Sequence, residues 1–263
     1  GSGAGVYLDS ADAILEDSLL TNLYAANGSA NGSALTIVNG LARRCDISGN
    51  ISRQNGPIAM NGKTARLFDS VITNNESAGV NPMWKNDTWS HLRSGGGVWI
   101  RNAGAVVSNG VIAANRANLP GGGVKNVCTG GGLVFEAAGK VYNSIIADNT
   151  AYYDGGAAYG KGTLVNCLLT GNVSQEAKGG ATAGSTTLVN CTVVGNSSEL
   201  GAGGVEGAAK VSNSILVDNM NATEGVVSNY TSAATIAYTL TAPLAEGEGN
   251  ITDDPQFRNG SEQ

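Results

Sequence analysis

GGATAGSTTLVNCTVVGN (179–196) runs directly into SSELGAGGVEGAAKVSNSILVDN (197–219). Both segments follow one template: a glycine cluster, a short polar linker, an aliphatic strand, Asn before a small residue, a second aliphatic strand and a closing Asn. Copies of it account for most of the 263 residues. Taking the closing Asn as the register mark gives Asn22, Asn50, Asn74, Asn115, Asn149, Asn172, Asn196 and Asn219. The base period is 23–24 residues, seen undisturbed from Asn149 to Asn219 and interrupted earlier by insertions. Residues 6–22 align without a gap on 133–149, so a strand reading displaces the amphipathic-helix pattern that 11–25 shows in isolation.

Within a unit the strands are short and β-branched, separated by Gly, Asn and Ser. Asn precedes a small residue at the mid-unit bend in Asn109-Gly110, Asn143-Ser144, Asn166-Cys167, Asn190-Cys191 and Asn213-Ser214. Asn is the non-glycine residue that best tolerates the left-handed backbone region. A bend recurring once per period describes a coil that turns at fixed corners. In a parallel stack with rungs about 4.8 Å apart, equivalent Asn side chains can bond into amide ladders. Structural roles are therefore expected for Asn143, Asn149, Asn166, Asn172, Asn190, Asn196, Asn213 and Asn219. The clusters at 95–98, 130–133, 155–158, 179–182 and 201–205 mark a further corner where only tiny residues fit. The period is too long for a hexapeptide coil, too short for a propeller blade, and lacks leucine-rich spacing. It predicts an all-β, right-handed parallel β-helix: one single-stranded solenoid domain over 1–263, with loop insertions at 75–94 and 116–129.

Composition agrees and narrows the partners. Aromatics are only 5% of a chain that is 41% hydrophobic, so the core must be Val, Ile, Leu and Ala. The net charge of −6 argues against nucleic acid, which needs a basic face. No apolar run is long enough for a membrane-spanning helix. Four cysteines without CxxC spacing indicate neither a zinc site nor a disulfide scaffold. Cys45, Cys167 and Cys191 share a column, where stacked reduced thiols are expected, and Cys128 has no evident partner.

The glycine clusters, the Asn-closed strands and the ending IAYTLTAPLAEGEGNITDDPQFRN (236–259) resemble right-handed β-helix repeats of the pectin-lyase-like superfamily. They are also similar to passenger repeats of outer-membrane autotransporters. The resemblance implies an extracellular or cell-surface module, part of a longer surface protein, with 253–254 in a terminal turn. It also implies that a rim of loops at one corner is where such helices bind polysaccharide.

The insertion at 75–94 carries Trp84, Trp89 and the single histidine, His91, with Trp99 on the next strand. Tryptophan faces in a polar loop suit sugar stacking; the alternative is that they fold back to cover the helix flank. The insertion at 116–129 is expected to leave from the same corner, with Tyr152 and Tyr153 on the following rung. These six residues are the candidate ligand-binding set. No catalytic residue is expected: Asp148 and Asp218 match in position but lie three rungs apart, roughly 14 Å, too far for paired-carboxylate glycoside hydrolysis. Asp17 and Asp69 are also separated, and no acidic cluster that could hold calcium accompanies Arg93 or Arg101. No cofactor is expected. Glycosylation triplets, among them Asn27, Asn86, Asn172, Asn196, Asn221 and Asn250, read mostly as by-products of the template. Function is expected to be non-enzymatic: adhesion or surface structure, through a glycan or protein contact at the Trp-bearing loop. The alternatives are a polysaccharide lyase or hydrolase, and a subunit that assembles end to end.

Overall fold

The computed structural model describes residues 5–25, 32–52, 55–78, 95–118 and 128–257. These form a parallel β-solenoid of about eight turns, all-β and without a helix. Each turn contributes to three sheets. The first sheet contains 14 strands, and the second and third contain nine each. In turns one to three the first-sheet strand is long, as in Val6–Glu16, Leu35–Arg43 and Ile58–Phe68. From turn four it is broken in two, as in Leu133–Phe135 and Lys140–Tyr142. The segment that could pass for a helix is therefore strand, because its partner Leu35–Arg43 holds it in a parallel ladder.

Two left-handed corners flank each three-residue strand of the second sheet. The first corner holds Asp17, Arg44, Asp69, Asn109, Asn143, Asn166, Asn190, Asn213 and Tyr238, all with φ between 49 and 56°. The second holds Asn22, Gly49, Asn74, Ala114, Asp148, Gly171, Gly195 and Asp218. Asn, Asp and Gly dominate both sets because other side chains pay about 1–2 kcal/mol there. Between the corners, Ile47, Ile72, Ile112, Ile146, Leu169, Val193 and Leu216 stack in register as one fully buried aliphatic column. Phe135 is the largest fully buried side chain. Glycine at 162 is required by it, since a Cβ there would lie 2.4 Å from the ring.

The residue after each second corner points inward and builds the ladder. Asn50, Asn75, Asn115, Asn149, Asn172, Asn196, Asn219 and Asn229 are buried. Each amide nitrogen down to Asn219 donates to the next amide oxygen at 2.8–3.0 Å. The same oxygen accepts the backbone N–H of the preceding ladder residue, as in Asn149 N to Asn172 Oδ1 at 3.0 Å. The second amide hydrogen reaches a carbonyl of the preceding turn's second sheet, as from Asn172 to Ile146 at 2.8 Å. The side-chain amide of each internal ladder residue is thus used at both its oxygen and its nitrogen, which is the condition for burying it.

Three expectations shift by small steps. The ladder residue of turn three is Asn75, since Asn74 is the left-handed residue before it. In turn one Asn22 is likewise the corner, and Leu23 holds the ladder position, donating its N–H to Asn50 Oδ1 at 2.9 Å. The gapless match of 6–22 to 133–149 slips by one residue, because Val6–Glu16 carries register shifts that the broken strand lacks. The eight expected structural asparagines divide into two sets. Asn149, Asn172, Asn196 and Asn219 are the internal ladder, whereas Asn143, Asn166, Asn190 and Asn213 sit at the exposed first corner. Part of that corner forms an outer ladder running Asn166 to Asn143 to Asn109 to Asp69, with bonds of 3.0–3.2 Å.

Candidate functional site

The solenoid is interrupted at one corner, between the two-residue strands of the third sheet and the glycine cluster that opens the next turn. Glu76–Ser77 and Arg116–Ala117 are strands of that sheet. Backbone pairing continues past them, with Ala78 N donating to Ser52 O at 2.7 Å and Asn118 N to Ser77 O at 2.9 Å. On the far side of the second interruption Tyr153 N donates to Cys128 O at 3.0 Å, and Gly130 N to Asp154 O at 3.0 Å. The expected boundaries 75–94 and 116–129 are thereby corrected. Residues 75–78, 116–118 and 128–129 belong to the coil. Both interruptions leave from the same corner as expected, about three residues later than the closing Asn. Trp84, Trp89 and His91 lie outside the described residues.

Trp99 sits on the outer face of Val98–Ile100, between Ala59 of the turn before and Val134 of the turn after. It is only 4% exposed, packed in a small cluster with Ala59, Val134 and Tyr159. The Arg101 guanidinium lies over the indole, 4.5 Å from its centroid, and its Nε bonds Glu136 at 3.2 Å. Trp99 is therefore not an open stacking platform: it covers the helix flank, as the alternative sequence reading had it. Among the described residues its Nε1 is buried without a hydrogen-bond partner.

Tyr152 and Tyr153 remain half-buried at the interrupted corner. Their rings meet edge to face, 5.0 Å apart at 80°, over Ala117 and Cys128. Burial raises the Tyr153 phenol above its ordinary value, helped by Tyr152. Asp154 follows; burial raises its carboxyl too, although the Lys178 N–H donates to its Oδ1 at 3.2 Å. The expected aromatic rim is thus two groups: Trp99 with Tyr159 on the flank, and Tyr152 with Tyr153 on the corner. Gly155, between them in the chain, has φ of 74° and no room for a Cβ, which would lie 2.4 Å from Ala158 O.

The acidic residues stay dispersed, with Asp148 and Asp218 at second corners three turns apart. Among the described residues no group of three or more His, Cys, Asp or Glu could hold a metal. The four cysteines are buried and not joined in disulfides. Cys45, Cys167 and Cys191 align with Ser70, Ser144 and Ser214, one position past the column of Asp17 and Asp69. In that column Ser214 Oγ accepts the Cys191 N–H and Ser70 Oγ the Cys45 N–H, each at 3.1 Å. Cys128 Sγ donates to Asn118 O at 3.1 Å.

An open groove of about 800 Å³ at the last turn had no counterpart in the sequence reading. Val217, Asp218, Val227, Asp253, Asp254 and Phe257 are among its walls. Beside it the internal ladder ends, with Asn229 Nδ2 donating to Ala242 O at 2.6 Å, and in the last turn Asn250 accepts the Thr239 N–H and donates to Ile236 O at 2.9 Å. The chain is a parallel β-solenoid organised on an internal asparagine ladder. No family model and no curated protein matches it.

Proposed function

We propose that this chain is a non-catalytic extracellular β-solenoid module that contacts a glycan or protein at a cell surface through the interrupted corner of turns three to five. The pectin-lyase-like superfamily, with autotransporter passenger repeats, is the proposed kinship; the repeat pattern and terminal rungs support it. The observation that carries the binding reading is the Tyr152–Tyr153 pair. Two half-exposed rings stand edge to face at the corner from which both insertions leave, in a chain otherwise poor in aromatics. Rings of this kind offer apolar faces with a polar tip, the combination that sugars and protein interfaces use.

The test is binding of the whole chain to a glycan array and to intact cell surfaces. It compares the unaltered protein with Tyr152→Ala/Tyr153→Ala and with Trp84→Ala/Trp89→Ala. Binding that either pair abolishes, with the circular dichroism unchanged, supports the reading. No binding by the unaltered protein, or binding indifferent to both pairs, removes it. Turnover of uronate-rich or neutral polysaccharide would favour the enzyme alternative instead. End-to-end assembly is disfavoured by like charge. Asp9 and Asp12 lie on the first turn, where Arg43 and Arg44 offset Glu16 and Asp17, and Glu246, Glu248, Asp253 and Asp254 lie on the last.

A further inference from the structure

The ladder asparagines carry a second sequence property. Asn50-Ile-Ser, Asn75-Glu-Ser, Asn172-Val-Ser, Asn196-Ser-Ser and Asn229-Tyr-Thr are all N-x-S/T triplets, the acceptor pattern for asparagine-linked glycans. For the first four the coincidence has a structural cause. After the ladder residue the chain places one side chain outward and the next inward against the core, where space admits only a small residue. From turn two to turn seven that inward column reads Ser52, Ser77, Ala117, Ala151, Ser174 and Ser198, all buried, and it ends on Asn221. Wherever serine rather than alanine fills it, the ladder asparagine becomes a sequon.

Glycan attachment and the ladder need the same atom. A glycan replaces one hydrogen of Nδ2, yet in Asn172 both are donated inside the solenoid, to Asn196 Oδ1 at 2.9 Å and Ile146 O at 2.8 Å. Asn50, Asn75 and Asn196 are built alike, each donating onward to the next amide and back to a carbonyl. Asn229 Nδ2 faces Ala242 O at 2.6 Å. These residues are at most 1% exposed, so the folded protein offers no route for a sugar and no access for a transferase. Only the unfolded chain can be a substrate, and a modified chain cannot close the rung.

We infer that asparagine-linked glycosylation and folding are mutually exclusive at Asn50, Asn75, Asn172, Asn196 and Asn229. This chain is therefore built to fold where its unfolded form meets no oligosaccharyltransferase. The inference is independent of the surface-module reading, because it concerns the scaffold and not the corner. Asn221 is likewise buried but lies outside the ladder, its Oδ1 accepting the Glu224 N–H.

Translating the chain behind a secretion signal into microsomes, with and without an inhibitor of glycan-precursor synthesis, tests this on the unaltered sequence. With the inhibitor, a protease-resistant product is expected. Without it, site-resolved mass spectrometry should find glycans on ladder sites and the resistant product should be lost. Replacing Ser52, Ser77, Ser174 and Ser198 by Ala, with Thr231→Ala, should restore resistance without the inhibitor. Alanine is already the resident at 117 and 151. The inference is overturned by a glycan on any ladder asparagine within the protease-resistant product. It is equally overturned by ladder sites left unmodified while glycosylation is active, or by a product that stays sensitive with the inhibitor present.

Discussion

Replacing Asn172 by Ala removes a rung from the middle of the ladder. Asn172 is fully buried, and its oxygen accepts both the backbone N–H and the Nδ2–H of Asn149 at 3.0 Å. Its nitrogen serves Ile146 O at 2.8 Å. Truncation leaves those two donors and that acceptor without partners, while Asn196 Oδ1 keeps the backbone N–H of residue 172. A buried polar group left unsatisfied costs about 1–3 kcal/mol. Three of them give about 3–6 kcal/mol if water entering the gap recovers part of the loss. The matched control is Asn166→Gly at the exposed outer ladder. It deletes one exposed bond of 3.1 Å to Asn143 and keeps a residue that tolerates the left-handed conformation, so about 0.5 kcal/mol or less is expected. A solenoid loses stability locally, so a single global midpoint is the wrong readout. Native-state hydrogen exchange of peptides from turns five to seven, followed through a urea series, reports the rung directly. A loss below about 1 kcal/mol for Asn172→Ala, or one equal to that of Asn166→Gly, would refute the ladder as a main source of stability.

Other outcomes follow from the same geometry. Gly131→Ala should unfold the turns around it, because a Cβ would lie 2.4 Å from Gly156 O and 2.5 Å from the Thr150 carbonyl carbon. Gly225→Ala, with φ of 65° and nothing within 4 Å, should cost only about 1–2 kcal/mol of backbone strain; thermal melts of the two rank them. Arg43 bonded to Glu16, and Arg44 bonded to Asp17, hold those carboxyls below their ordinary values. Their contribution is present above the unfolded carboxylate range and is lost as pH falls through the lowered folded values. Exchange in 6–25 should therefore quicken at acid pH before exchange in turns five to eight does. All four cysteines are buried, and desolvation pushes the Cys45 thiol above the ordinary range. Native protein should accordingly resist thiol reagents that label all four cysteines in denaturant.

Much of this architecture is legible in the chain because the ladder demands one residue type at one place in every turn. Asn149, Asn172, Asn196 and Asn219 are spaced by 23, 24 and 23 residues, and the first-corner Asn143, Asn166, Asn190 and Asn213 keep the same spacing. The register failed where two adjacent positions both favour Asn for different reasons. At Asn74-Asn75 the first takes the left-handed corner and the second the ladder, and composition does not separate them. The insertion boundaries were misplaced because a two-residue strand such as Glu76–Ser77 is too short to show alternation. The recurring small residue two places after each ladder Asn was the available signal. Trp99 misled because Val98–Ile100 is apolar on both faces, so period-two alternation could not show that the indole packs on a covered flank. The terminal groove was invisible to any periodic reading, since Asn229 follows Asn219 by only ten residues. There the strand Val226–Val227 folds back antiparallel on Met220–Asn221.

Side-chain amide exchange measured by nuclear magnetic resonance on the intact, asparagine-labelled protein tests the ladder most directly. Protected Nδ2 protons are expected at Asn75, Asn115, Asn149, Asn172, Asn196 and Asn219, against rapid exchange at exposed Asn190 and Asn213. Equal exchange rates in the two groups would contradict it.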